Sequence, residues 1–146
     1  MSSSTTNIKL SIILIGEENW HDYIDGVETV GRKSDIWDYI NPSTPRLALP
    51  TLQAPTEPQF EDVCPQTDGN TDPITLNDLN ANQLSRFNFL ISQFNTKEKK
   101  YYAKKALIDD MRYQIQQSVQ VEHFVYTTGC ETTYDILVNL KKRFEP

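Results

Sequence analysis

Trp20, His21, Asp22 and Tyr23 stand together near the start of the chain, its densest run of side chains able to do chemistry. An imidazole beside a carboxylate is raw material for general-base catalysis, but a base also needs an oriented nucleophile or acceptor. None adjoins this run. The second histidine, His123, lies at no ligand spacing from another donor, and the HExxH, P-loop, GxGxxG and GxSxG patterns are absent. Cys64 and Cys130 match neither a zinc spacing nor a disulfide framework and read as reduced, inert thiols. Asp109 and Asp110 are adjacent on a helical stretch, so their side chains diverge by about 100° and read as a solvated face. The sequence therefore offers no catalytic, cofactor-binding or metal-binding residue, and an enzyme is not expected.

One further cluster carries chemistry of another kind. Lys97, Lys99, Lys100, Lys104 and Lys105, interleaved with Tyr101 and Tyr102, have the composition of a weak polyanion-contacting surface. Lysines on the outer side of an amphipathic helix give the same pattern, with the tyrosines turned inward. The charge balance limits the first reading. The whole chain carries a net charge of -6, divided as -8 over residues 1–96 and +2 over residues 97–146. An acidic protein is not a general nucleic-acid binder, so any attraction for polyanions sits in the last third and is weak.

The elements that must position these residues follow from apolar spacing. Residues 1–7 form a Ser/Thr tail read as mobile, without the charged start of a signal peptide. The run "KLSIILIG" is either a short buried strand or an extended lead-in, and it is far below the roughly 20 residues that span a bilayer. An intracellular, cytoplasmic protein without a membrane segment is expected. Trp20, Tyr23, Ile24, Val27 and Val30 recur at helical spacing, which predicts a helix over 17–30 with Gly31 placed to end it. "SDIWDYI" predicts a short helix with Ser34 as N-cap and Ile36, Trp37 and Ile40 inward, stopped at Asn41-Pro42.

Seven of the eight prolines lie between residues 41 and 75, where helical periodicity disappears. That segment reads as a long proline-rich loop, a linker or docking strap inside one domain. Helical signals return with the Thr75–Asp78 cap pattern and the face of Leu76, Leu79, Leu84, Phe87, Leu90, Ile91 and Phe94. Asn95-Thr96 is the expected break before a second helix from about 97 to 119, with Leu107, Met111, Ile115 and Val119 inward. The last helix carries Tyr134, Leu137, Val138, Leu140 and Phe144 inward. It is capped either by Thr128 with Glu131 or by Thr132 with Asp135, and Lys141, Lys142 and Arg143 sit near its negative end. The sum is an all-α fold of about five or six helices over 8–146, a single domain interrupted by the loop at 41–75. Its expected core includes Trp20, Tyr23, Val27, Trp37, Phe87, Ile91, Leu107, Met111, Tyr134, Leu137 and Phe144.

Three motifs in order resemble the Gag polyprotein of copia-type LTR retrotransposons. "L…GEENWHDY…V", with Gly16, Asn19, Trp20, Tyr23 and Val27, is similar to that family's opening. "DIWDYI", through Ile36, Trp37 and Ile40, is similar to its next element. "ETTYDILVNLKKRFEP" resembles its Trp-containing helix, with Tyr134 in place of the tryptophan and Asp135, Leu137 and Phe144 in register. "AKKALIDDMRYQIQQSV" resembles the helix between them. The loop at 41–75 is longer than the family carries. The resemblance implies the N-terminal part of a capsid protein, an all-helical module that self-associates into virus-like shells around the element's RNA, with RNA contact assigned to segments further downstream. A host-domesticated Gag fragment, acting as an adaptor through its proline-rich loop, is the alternative. On either reading the partners are macromolecules, with no cofactor and no small-molecule substrate.

Overall fold

The computed structural model describes residues 8–65 and 72–146; the tail at 1–7 and the loop stretch at 66–71 lie outside the described residues. The fold is all-α. No strand forms among the described residues, only a single isolated parallel bridge between Leu14 and Val119.

The first helix, α1, spans Trp20–Lys33 and is led in by a 3-10 turn at Glu17–Asn19. Asn19 builds that entry: its amide oxygen accepts from the backbone N–H of Ile15 at 2.9 Å and Gly16 at 3.3 Å, and its nitrogen donates to the Ile13 carbonyl at 2.7 Å. Trp20, Tyr23, Val27 and Gly31 form the buried face. Gly31 does not end the helix, as its type suggested. It lies inside, where a Cβ would stand 3.1 Å from Trp37 Cε3, so its missing side chain lets the tryptophan approach.

The helix ends two residues later in a Schellman turn. Ile36 N–H donates to Gly31 O at 2.9 Å and Asp35 N–H to Arg32 O at 3.1 Å, with Asp35 in the left-handed region at φ 59°. Ser34 therefore closes α1 instead of capping the next helix, α2, which is Trp37–Ile40 and follows Ile36. Asn41, extended before Pro42, stops α2 as expected.

Between α2 and the next long helix the described residues form irregular chain with 3-10 turns at Arg46–Ala48, Phe60–Asp62 and Leu76–Asp78. The Thr75 pattern is used, but to close the last of these turns: Thr75 N–H donates to Asp78 Oδ2 at 2.8 Å. The helix itself, α3, starts at Ala81 behind a reciprocal box between Asn80 and Gln83, with bonds of 2.9 and 2.8 Å. It runs unbroken for 37 residues, Ala81–Gln117. Asn95-Thr96 does not interrupt it; both are exposed, and the Thr96 hydroxyl bonds back to the Ser92 carbonyl at 3.2 Å. A 3-10 segment, Val121–Thr127, and α4, Thr133–Phe144, complete the chain. Of the two capping candidates Thr132 is used, accepting from Asp135 N–H at 3.1 Å, whereas the Thr128 hydroxyl turns back to the Val125 carbonyl at 2.8 Å.

The packing divides the chain into two compact units: one takes the described residues up to Leu52 together with Ala103–Pro146, the other is Gln53–Tyr102. In the first, Trp20, Tyr23 and Val27 of α1 and Trp37 and Ile40 of α2 meet Met111 and Ile115 of α3 and Ile136, Leu137, Leu140 and Phe144 of α4. Full burial of each such aliphatic side chain stabilises by about 1.5–3 kcal/mol. Tyr134 is also buried, Leu107 packs half-buried at the rim, and the lead-in contributes the buried Ile8 and Leu14. In the second unit only Val63 and Ile74 are buried among the described residues. Phe87 and Ile91, expected as core, are half-buried there, because they meet only a thin strap of irregular chain, through contacts such as the Phe60–Phe87 ring pair at 4.8 Å.

Candidate functional site

The run that opened the question resolves into two faces of α1. Trp20 and Tyr23 are each 1% exposed, while His21 and Asp22 face solvent. Trp20, Trp37 and His21 do border a polar recess of about 200 Å3, closed on its flanks by the ion pairs Arg32–Glu28 (2.7 Å) and Lys141–Glu145 (3.2 Å). The tryptophan rings are nevertheless spent on the core, and the acids and bases of the rim neutralise one another.

The remaining titratable candidates have structural partners. Asp110 Oδ2 accepts the backbone N–H of Ile8 at 2.9 Å, tying the lead-in to α3, while Asp109 is exposed. His123 Nε2 shares a hydrogen with the Ile15 carbonyl at 2.7 Å, and its ring meets Phe144 edge-on at 4.7 Å. Cys64 and Cys130 are free, half-buried thiols. Among the described residues no three His, Cys, Asp or Glu side chains gather in a way that could hold a metal ion.

The lysine row is partly committed. Lys97, Lys99, Lys100 and Lys105 are exposed, but Lys104 lies 3.1 Å from Asp35 and over the ring of Tyr39 at 5.5 Å. Tyr101 and Tyr102 stack edge to face on each other at 5.1 Å, with Tyr102 turned outward rather than toward a core.

A second interaction was hidden from sequence reasoning. The start of the proline-rich segment is clasped to α4: the Tyr134 hydroxyl donates to the Thr44 carbonyl at 2.7 Å, Arg46 forms an ion pair with Asp135, and the Arg46 guanidinium lies 5.3 Å from the Tyr134 ring centroid. The hydrogen bond and charge of Arg46 hold the Asp135 carboxyl below its usual range. Nothing local marks Thr44 or Arg46, since their partners lie 90 and 89 residues away.

Several large apolar side chains stand exposed. On the 3-10 segment Val121 is 89% and Val125 63% exposed, with Phe124 also outward. Ile13 and Ile15 are outward on the lead-in, either side of the Leu14–Val119 bridge. The seat beneath these side chains is firm: Leu14 N–H donates to Ser118 O at 2.7 Å, Gln120 N–H to Leu14 O at 3.1 Å, and His123 closes the far side.

No family model, curated protein or solved structure matches the chain. The likeness to copia-type Gag thus rests on the three sequence motifs and their order. Among the described residues no helix is long and apolar enough to cross a membrane.

Proposed function

We propose that the chain is a non-catalytic structural module that self-associates, a capsid-type unit of the kind its resemblance to copia-type Gag implies, building virus-like particles around element RNA in the cytoplasm. The observation that carries this reading is the apolar surface of Val121, Phe124, Val125, Ile13 and Ile15, presented on a backbone fixed by hydrogen bonds. Exposed apolar side chains that gather into one patch mark a protein–protein contact. Assembly modules repeat one surface many times, so the covering partner in this reading is a second copy. RNA contact falls to downstream segments of a longer Gag, with Lys97, Lys99, Lys100 and Lys105 adding a weak attraction at most.

Sedimentation and light scattering across a concentration series test the reading. Wild-type protein should form oligomers that grow with concentration, and Val121→Lys with Val125→Lys should return it to a monomer without changing its helical content. A wild-type chain that stays monomeric at the highest soluble concentration overturns self-association. If such a monomer instead captures a host protein through the segment at 41–75, the adaptor reading takes its place.

A further inference from the structure

The patch around Val121 raises a question of number. A surface that covers its own counterpart on a second copy is satisfied at the dimer, and growth past two copies needs a further contact between unlike surfaces. Two features of the unit that carries the patch have the form of such a pair.

One is a knob. Leu47 is fully exposed on the 3-10 turn Arg46–Ala48, and no described residue covers it. The turn beneath it is fixed: Ala48 N–H donates to Pro45 O at 2.9 Å and Leu49 N–H to Arg46 O at 3.2 Å. Tyr134 and Asp135 hold Thr44 and Arg46 on its near side. A side chain presented on an ordered backbone has less freedom to lose on binding. The other feature is a groove of about 230 Å3 between the lead-in and α1. Leu10 and Ile12 line it from the lead-in and Gly26 and Val30 from the helix, with the buried Tyr23 and Val27 at its base. It stays open at Gly26, where a Cβ would meet only Ile12 Cδ1, at 3.5 Å.

The charges beside the two features are opposite. Arg46 is the only charged residue between Asp38 and Glu57, and its side chain remains 68% exposed beside Asp135, with donors to spare. On α1, Asp25 precedes Gly26 and Asp22 lies one turn before it. Both are exposed, and neither forms an ion pair among the described residues.

We infer that Leu47 of one copy seats in the groove beside Gly26 of the next, with Arg46 turned toward Asp22 and Asp25. The contact joins unlike surfaces, so each copy that gains a neighbour still offers a knob or a groove to another. One leucine is too small a contact to hold two monomers. It acts between dimers already joined at Val121, each presenting two knobs and two grooves. The inference rests on the self-association reading and adds to it the contact through which a dimer grows.

Light scattering and sedimentation of the whole chain with two variants test it. Leu47→Ser removes the knob from an exposed turn, and Gly26→Leu fills the groove at a position where leucine is the better helix former. Each variant should stop at the dimer at concentrations where wild type grows, with its helical content unchanged. Mixed in equal amounts the two should grow again, because the first keeps its grooves and the second its knobs. Variants that grow like wild type overturn the contact and leave the Val121 patch standing. Dimers that stay dimers on mixing overturn Leu47 as the occupant of the groove. A wild-type chain that never associates overturns both readings together.

Discussion

The Tyr23 hydroxyl lies 2.7 Å from Ser118 Oγ, in the core and 95 residues away along the chain. The direction of this bond follows from its neighbour. Ser118 spends its single proton on the Ile115 carbonyl at 3.0 Å, so the phenol is the donor. Burial pushes the Tyr23 hydroxyl up to about 12. The unfolded chain releases that proton near pH 10, as an ordinary tyrosine does. Between about pH 10 and 12 the folded state holds a proton that the unfolded state has lost, so stability falls as pH rises. The expected loss is on the order of 2–3 kcal/mol by pH 12. In Tyr23→Phe that alkaline slope should be shallower, and the variant should lose about 1 kcal/mol at neutral pH. Urea midpoints measured across the alkaline range check both.

The clasp between Arg46 and Asp135 makes the opposite prediction at acid pH. Arg46 lowers the carboxyl of Asp135, so the unfolded chain takes up a proton first as pH falls. The stability it lends is complete above the ordinary aspartate value of about 3.9 and disappears as pH drops through the depressed folded value. Arg46→Ala should flatten the acid limb of the stability profile in part, because Thr132 still holds the carboxyl down; Asp135→Asn should flatten it more, and the double variant no further than Asp135→Asn alone. An acid limb unchanged by either substitution would refute the linkage.

Asp35 occupies the left-handed position of the turn after α1, a conformation strained for most side chains. Asn tolerates it, so Asp35→Asn should lie within about 0.5 kcal/mol of wild type despite losing its contact with Lys104. A β-branched residue does not, and Asp35→Val should cost roughly 1–3 kcal/mol. Thermal unfolding of the pair separates backbone strain from charge, because both substitutions remove the carboxylate.

The two units should also differ in local stability. Apolar burial in the first is extensive, whereas Val63 and Ile74 alone are buried in the described part of the second. Amides of 72–102 should therefore exchange through openings of lower free energy than those of α1 and α4. Ile136→Ala should cost about 2–5 kcal/mol and raise exchange throughout the first unit. Ile91→Ala, at a half-buried site, should cost less and act only within the second. Uniform protection across both units would contradict this division.

Much of the helical content was legible because period is a local property. Trp20, Tyr23 and Val27 declare their face within eight residues. The start of α4 narrows to two capping pairs, Thr128 with Glu131 or Thr132 with Asp135, between which only the structure chooses. Stops were harder. Gly31 has the type of a helix terminator, but the turn that ends α1 is built from backbone bonds at Asp35 and Ile36, and the glycine instead serves the approach of Trp37. Asn95-Thr96 looks like a break because both residues are poor helix formers, yet a few tenths of a kcal/mol each cannot interrupt a helix of this length. Burial of Phe87 and Ile91 depended on how much chain the proline-rich segment lays over them, which no spacing encodes. The clasp of Thr44 and Arg46 on α4 was illegible for the same reason: its halves meet only in the folded state.

The bridge between Leu14 and Val119 has a consequence for how the protein is made. A ribosome adds about 5–20 residues each second. Tyr23 leaves it roughly 4–18 s before Met111, and throughout that interval the face of Trp20, Tyr23 and Val27 has none of its α3 or α4 partners. Nascent chains on one message would hold the same unpaired face beside one another, so crowded synthesis exposes this protein to association before it has a finished core.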